Sequence, residues 1–519
     1  MGASLGHARA VAVVGTTGHV VDVEAHIADG LPAFTIVGLP DTAVSEARER
    51  VRAALSSCGR AWRPSRTTVN LAPASLHKHG TGLDLALAVS VLGAAGDIAD
   101  RRPGLFLGEL GLDGRVQPVR GVLPAVLAAR DHGLREVVVP AANAAEARLV
   151  GEMTVRAVEH LADVVVALGG EAHRPALPAG SETAGRSGGA GGANGAQAAP
   201  RPEPDMIDVI GQAPARRAVE VAAAGGHHLL LLGPPGAGKS MLAARMPGLL
   251  PDLDDDAALE VTAVHSVAGT YSGDSLVRRP PFEEPHHTAT AVAIVGGGSG
   301  LPRPGAASRA HRGVLLLDES PEFPTRVLDT LRQPLETGEI VLHRAAGSAR
   351  FPARFQLVLT ANPCPCGNAD RDGALCTCSS AVRSRYLSRL SGPLLDRVDL
   401  QVQVARVSRA AASVEEPSEP TAVVARRVAA ARTAAADRLA GTGWSTNAEV
   451  PGAWLRERTG RSAVATVADA VDTGRLTMRG MDRVLRVAWS IADLAGADSP
   501  SDMHVGEAMT LRSQGPRRG

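Results

Sequence analysis

Three aliphatic runs, HHLLLLG ending at Gly233, RGVLLLDE ending at Glu319 and RFQLVLTAN ending at Asn362, share one pattern of consecutive apolar residues that stop abruptly at polar ones. Unbroken runs of this length are what strands buried on both faces require. Together they predict a parallel sheet whose functional residues collect at the strands' carboxyl ends. Nearer the amino end, short runs such as AVAVVG and VVDVEAHI alternate with helical spacing in DTAVSEARERVRAAL and AVLAARDHGL, the latter followed by the strand-like REVVVP. That alternation predicts an α/β domain over residues 1–172. Toward the other end, TAVVARRVAAARTAAADRL and the stretch from about Ala463 to Arg512 carry helical spacing, which predicts a separate helical tail over 405–519. Between the first two patterns lies ALPAGSETAGRSGGAGGANGAQAAPRPEPD, too poor in large apolar residues to offset its ordering entropy. It predicts a flexible linker over 173–204, which leaves 205–404 as the domain holding the parallel sheet.

Composition narrows this picture. With 54 basic and 54 acidic residues in 519, no global field draws the chain to nucleic acid or membrane, so any nucleic-acid site must be local. No apolar run reaches the roughly 18 residues that span a bilayer, and the start lacks the charged and apolar segments of a secretory signal. The expectation is a cytoplasmic protein, in which thiols stay reduced and clustered cysteines suggest metal more than disulfide. Only Lys78 and Lys239 among the basic residues are lysines; the rest are arginines. A chain that uses arginine wherever a generic positive charge suffices makes each lysine a specific question.

Lys239 answers its question. The strand HHLLLLG runs into Gly233, Pro234, Pro235, Gly236, Ala237, Gly238, Lys239 and Ser240 and then into a helical MLAARM. This is the G-x-x-x-x-G-K-[ST] phosphate loop in its confirming strand–loop–helix context. Backbone N–H groups and a helix amino terminus would cradle the phosphates of ATP, the compact Lys239 ammonium would reach the β and γ phosphates, and Ser240 would ligate Mg2+. A plain glycine turn before a helix is the competing reading, and the context argues against it. Some 80 residues on, Asp318 and Glu319 end a buried strand, where acids are costly unless they meet metal or water. Asp318 would complete the Mg2+ shell and Glu319 would orient the attacking water. Asn362, at the tip of RFQLVLTAN, would hydrogen-bond the γ phosphate or that water. The three strand ends resemble the Walker A, Walker B and sensor 1 pattern of AAA+ ATPases. The resemblance implies an arginine finger at Arg397 in SGPLLDRVDL, acting on a neighbouring subunit. It also implies a sensor 2 arginine at Arg479 in LTMRGMDRVLRVAWSIADL; a solvated helix arginine is the alternative there, because Arg483 and Arg486 share the helix.

Larger blocks make the resemblance specific. DVIGQAPARRAVEVAAAGG, EEPHHTATAVAIVGGGSGLPRPGAASRAHRGVLLLDESPEF, LRQPLETGE, ANPCPCG and SGPLLDR are similar to the YifB/ComM family of magnesium-chelatase-like AAA+ ATPases, as are VGLPDTAVSEARERVRAAL and VNLAPASLHKHGTGLDL before the linker. The resemblance implies a homo-hexameric ring that hydrolyses ATP and acts on branched or single-stranded DNA as a branch-migrating helicase. A chelatase-type motor that remodels a protein partner without DNA is the alternative. Two departures stand out: Glu283 and Glu284 occupy positions before PHH where the family carries a basic residue, and Ala488, Trp489 and Ser490 replace its Ala-Arg-Thr. The amino-terminal domain resembles the Lon protease fold through GELGLDGRVQPVRGVLPAVLAARDHGLREVVVPAAN. However, Gly82 and Leu123 stand where that family's serine and lysine belong, so proteolysis is not expected. Lys78 and Ser75 lie near in sequence without forming an obvious dyad.

Two further elements resemble pore elements: an insert from about His265 to Arg312, and a hairpin of EIVLHR and ARFPARF around AAGSA. His343, Arg344, Arg350 and Arg354 flank that tip and could meet phosphates, or simply be solvated. The adjacent His286 and His287 are expected to point apart, as neighbours in extended chain do, and Gly296 to Gly298 to form a flexible turn. Last, Cys364, Cys366, Cys376 and Cys378 are spaced C-x-C, nine residues, C-x-C. Four thiolates can bind Zn2+ tetrahedrally in a closed site without catalytic function; free buried thiols are the alternative.

Overall fold

The computed structural model describes residues 4–60, 62, 65–99, 104–175, 204–298, 302–344, 347–369, 376–407 and 418–513. Most of the expected linker, residues 176–203, lies outside them.

The amino-terminal unit is built on a seven-stranded mixed sheet in the order Ala33–Val37, Arg66–Ala72, Thr17–Ala28, Ser4–Val14, Leu105–Phe106, Glu136–Pro140, Thr154–Val158. Its long hairpin aligns Val14 with Thr17 and Ser4 with Ile27. Against the sheet packs the helix Asp84–Ala95, buried along almost its whole length. Beside it the amphipathic helix Thr42–Ser57 starts where Asp41 accepts a hydrogen bond from the Val44 N–H at 2.8 Å, a standard amino-terminal cap.

A five-stranded parallel sheet follows, ordered Phe282–Glu283, Val314–Leu317, Gln356–Ala361, Leu229–Leu232, Leu400–Gln403. The three aliphatic runs form its centre, and their register aligns Leu317 with Leu359 and Leu232 with Ala361. Strands in this register end at nearly the same height. Gly233, Asp318 and Asn362 therefore leave the sheet together at its carboxyl edge.

The carboxyl-terminal residues form the expected helices, among them Thr421–Leu439, Arg461–Asp472, Met478–Leu494 and Asp502–Ser513. They do not stand apart from the sheet. Val484, Leu485, Val487, Ala488 and Trp489 share one continuous core with Ala218, Val219 and Ala222 of the helix Ala213–Gly225 and with Leu229 and Val402 of the sheet. Small alanines on the first helix let the second approach closely, so apolar burial joins what the sequence presents as two segments. A buried polar clamp crosses the same boundary. Asp399 accepts from Arg483 at 2.6 Å and meets His227 Nδ1 at 3.3 Å, and His227 Nε2 lies 2.7 Å from Ser490 Oγ.

The amino-terminal unit docks onto the second one at two places. The Gly121 N–H donates to the Ser266 carbonyl at 3.3 Å, and Ser266 Oγ donates to the buried Glu146, which also accepts from the Leu123 N–H at 2.8 Å. At the other place the Gly15 turn meets the backbone of Arg350; a Cβ on Gly15, whose φ is +65°, would lie 2.2 Å from that carbonyl oxygen.

Candidate nucleotide site and cysteine cluster

The loop leaving Leu232 owes its shape to glycines at two kinds of position. Gly233 sits so close to Val404 that a Cβ would fall 2.1 Å from its carbonyl oxygen, whereas Gly236 and Gly238 take left-handed φ values of +74° and +91°. Nothing lies within 4 Å of the Cβ position of Gly236, so the loop is open at that point. Two side chains from outside the loop tie its carbonyls down: Gln212 Nε2 donates to Ala237 O at 2.9 Å and Arg406 Nη2 to Pro235 O at 3.0 Å. Gln212 lies within the DVIGQAPARR block, but no sequence motif gives it or Arg406 a role. The helix Lys239–Ala243 begins at once, and Lys239 is buried. Its ammonium donates to Gly233 O at 2.7 Å, to Pro234 O at 3.0 Å and to Asn362 Oδ1 at 3.0 Å. The lysine and the asparagine, 123 residues apart in sequence, thus meet in space.

Ser240 and Asp318 meet as well, Ser240 Oγ donating to Asp318 Oδ1 at 2.7 Å. A hydroxyl and a carboxylate side by side at the foot of an open phosphate loop are hard oxygen donors of the kind Mg2+ takes. Glu319 is exposed and held at φ +51°, a left-handed conformation that a non-glycine residue keeps only when its surroundings enforce it. Thr360 is the enforcer. Its hydroxyl accepts from the Glu319 N–H at 2.9 Å and donates to Asp318 Oδ1 at 2.6 Å, while its carbonyl accepts from Ser320 Oγ at 2.7 Å. Thr360 is overlooked by motif reading, although a lone hydroxyl at the end of an apolar strand is its signal. Glu284 also belongs to this corner: burial and then the nearby Asp318 charge raise its carboxyl above the usual range. Its neighbour Glu283 forms a bidentate pair with Arg309, at 2.9 and 2.7 Å.

Arg397 lies elsewhere, half-buried against its own chain. One guanidinium nitrogen donates to Pro393 O at 2.6 Å and another to the Glu336 carboxylate. Burial, then Arg483, Arg332 and Arg479, lower its pKa. Arg479 is exposed in the first turn of Met478–Leu494 and makes no hydrogen bond among the described residues. Arg483 and Arg486 are both engaged, the first with Asp399 and the second with Val450 O at 2.8 Å.

The expected hairpin is present, Glu339–Arg344 pairing antiparallel with Gly347–Pro352; its tip residues 345 and 346 lie outside the described residues. His343, Arg344, Arg350 and Arg354 are exposed, with Arg350 paired to Glu339 at 2.9 Å. Two local expectations need correction. The rings of His286 and His287 do not point apart but face each other, centroids 4.1 Å apart, because the chain turns there with the Ala289 N–H donating to His286 O at 2.8 Å. Gly296 and Gly297 are not a loose turn but a short strand paired with Arg303 and Pro304, at φ values of +97° and +145°. A Cβ on Gly296 would lie 2.3 Å from the Arg303 carbonyl oxygen.

In the amino-terminal unit Gly82 and the fully buried Leu123 offer no nucleophile or base. Lys78 is fully buried with its ammonium donating to Pro73 O, and burial lowers its pKa; Ser75 is exposed. The four clustered cysteines do come together, every sulfur within 4.8 Å of the others. Cys364 is buried, which raises its thiol pKa, whereas the Asn368 N–H lowers that of Cys366 to about 6.

Comparison with known proteins extends these observations over the chain. Residues 205–412 match the family described as magnesium chelatase, subunit ChlI, 23–143 match subunit ChlI of Mg-chelatase, and 418–512 match the ChlI carboxyl-terminal family. The competence protein ComM of Haemophilus influenzae is 39% identical, covering 97% of this chain and 96% of its own length. The Escherichia coli protein YifB is 38% identical over 99% of this chain and 97% of its own length, and an uncharacterized Mycobacterium tuberculosis protein is 52% identical over 99% and 100%. The magnesium-chelatase 38 kDa subunit of Rhodobacter capsulatus is 28% identical over 32% of this chain and 52% of its own length. Among the described residues no helix is long and apolar enough to cross a membrane.

Proposed function

Because this chain belongs to the YifB/ComM family of magnesium-chelatase-like AAA+ ATPases, we propose that it is a ring-forming ATP hydrolase that acts on DNA in the cytoplasm. The observation that carries the reading is the convergence of Lys239, Ser240, Asp318, Glu319 and Asn362 at one edge of the parallel sheet. The loop Gly233, Pro234, Pro235, Gly236, Ala237, Gly238 would wrap the phosphates with its N–H groups, and Lys239 would trade its carbonyl and carboxamide partners for phosphate oxygens. Ser240 and Asp318 would hold Mg2+, which when bound neutralises charge on the β and γ oxygens. Glu319, kept in place through Thr360, would orient the attacking water, and Asn362, released from Lys239, would contact the γ phosphate or that water. Arg397 is proposed to reach the nucleotide of a neighbouring subunit, with Arg479, whose charge is felt at Arg397, beside it. Both would complete a homo-hexamer, in which the domains are 1–172, the linker 173–204, the AAA+ core 205–404 and the helical lid 405–519.

For substrate, the exposed His343, Arg344 and Arg354 of the hairpin region support contact with DNA phosphates, and the branch-migrating helicase is the activity that the family resemblance of the sequence blocks implies. A motor that remodels a protein partner without DNA is the second reading, supported by the chelatase subunit's likeness over a third of the chain. ATP hydrolysis measured with and without branched DNA at low salt separates the two, with Glu319→Gln as the hydrolysis-deficient control. DNA that neither binds nor stimulates the wild type would remove the helicase reading and leave the motor. Absence of ATP hydrolysis altogether would remove both, and casein cleavage would overturn the exclusion of proteolysis drawn from Gly82 and Leu123.

A further inference from the structure

We propose that Cys364, Cys366, Cys376 and Cys378 bind one Zn2+, and that this metal centre braces the nucleotide loop through the contact of Gly367 with Pro235. The sulfur positions carry the first half. Cys364 Sγ lies 3.3 Å from Cys366 Sγ and 3.8 Å from Cys376 Sγ, and Cys366 and Cys376 are 3.6 Å apart. A tetrahedron of thiolates around zinc, with metal–sulfur bonds of about 2.3 Å, places its corners about 3.8 Å apart. A disulfide would draw two sulfurs to about 2.05 Å and leave the other two without a role, and an iron–sulfur cluster would hold its thiolates farther apart than the observed limit of 4.8 Å. The backbone dipoles of Asn368 and Ala369 favour the thiolate of Cys364, and that of Asn368 also the thiolate of Cys366. With four protein ligands the site is closed, which makes the metal structural rather than catalytic.

The second half follows from what the cluster touches. The turn carrying the first two cysteines is closed by the Gly367 N–H donating to Cys364 O at 2.9 Å, with Gly367 at φ +73°. Its Cα packs so tightly on the phosphate loop that a Cβ there would lie 2.4 Å from both Cδ and Cγ of Pro235. Cys364 in turn stands two residues beyond Asn362. A metal that fixes this turn therefore fixes both the outer wall of the phosphate loop and the strand end bearing Asn362. This second half rests on the ATPase reading; the first does not.

The test uses the full chain purified without chelator. Elemental analysis should find about one zinc per chain, Co2+ substitution should give the visible absorption of a tetrahedral tetrathiolate site, and Cys58→Ser, which changes the cysteine in the amino-terminal unit, should leave both unchanged. Cys376→Ser should lose most of the metal. Gly367→Ala should keep its zinc yet bind a fluorescent ATP analogue about tenfold more weakly, because Pro235 is displaced. Wild-type protein without zinc that gives no Co2+ spectrum, or whose cysteines are found as disulfides, would overturn the metal site. Gly367→Ala with full zinc and wild-type affinity for the analogue would overturn the brace. A zinc-loaded wild type that binds no analogue would defeat the ATPase reading, and the brace with it, while leaving the metal site standing.

Discussion

Thr360 shows how much a single hydroxyl can organise. It positions Asp318 through one bond and the backbone of Glu319 through another, so its loss should disturb geometry at the reacting end of the site without touching the phosphate cradle. Thr360→Val is expected to lower kcat about ten- to a hundredfold, the range that ångström-scale misplacement produces, with nucleotide affinity little changed. Glu319→Gln should lower kcat by about a hundredfold or more and retain binding. Equal affinity loss in both variants would mean that Thr360 supports the fold rather than the chemistry. At this scale the sequence was legible wherever function demands a fixed spacing, as in the phosphate loop. It was silent on the roles of Thr360, Gln212 and Arg406 and marked Glu284 only as a departure from the family pattern, because their partners lie 25 to 193 residues away or in an adjacent strand. Spacing cannot encode contacts that only the sheet register creates.

Elements were readable in proportion to their contrast. Aliphatic runs ending in polar residues became the central strands, and amphipathic spacing became Thr42–Ser57 and Thr421–Leu439. The helix Asp84–Ala95 is apolar nearly all round, so no period marks it. The docking of the carboxyl-terminal helices was equally invisible, since apolar faces do not announce what they will cover. Where strands begin, a titratable group is built in. His228 Nδ1 accepts the Leu357 N–H at 3.0 Å, and burial lowers its pKa to about 4. An unfolded histidine takes a proton near pH 6.5, whereas this one takes it only near pH 4. Unfolding therefore binds a proton in that window, and stability should fall as the pH drops through it, by on the order of 3 kcal/mol. His228→Asn keeps an acceptor for Leu357 without titrating. Urea midpoints measured across that range should flatten in the variant, and an unchanged slope would assign the pH dependence to other groups. The Gly15 turn supports a second test at this scale. Gly15→Val, forced against the Arg350 carbonyl, should loosen the amino-terminal unit and cost about 2 kcal/mol or more, seen as faster limited proteolysis between the units.

On the scale of the whole molecule, Arg397 is the residue that makes no sense in one chain. It is held by Pro393 and Glu336 of the same chain, so a ring would have to exchange these partners for a neighbour's nucleotide. Arg397→Ala is expected to bind ATP normally and hydrolyse it about a thousandfold more slowly. Lys239→Ala should not bind ATP, yet its intact Arg397 could serve the competent site of an Arg397→Ala neighbour. Mixing the two inactive proteins should thus restore part of the hydrolysis rate, and a mixture as inactive as its components would place the arginine's role within one chain.

The two lysines give the whole molecule an unusual surface. Lys78 is sealed within the amino-terminal unit and Lys239 is buried under the phosphate loop, and the chain has no others. Its exterior therefore carries no lysine ammonium, and its permanently charged side-chain cations are guanidinium groups, which never lose their proton and which acylating reagents pass over. Acetylation, and any conjugation that needs a side-chain amine, finds no target on this surface while the fold is closed. Acylation of Lys239 would in consequence serve as a clock for the opening of the phosphate loop, slowed by whatever fills it.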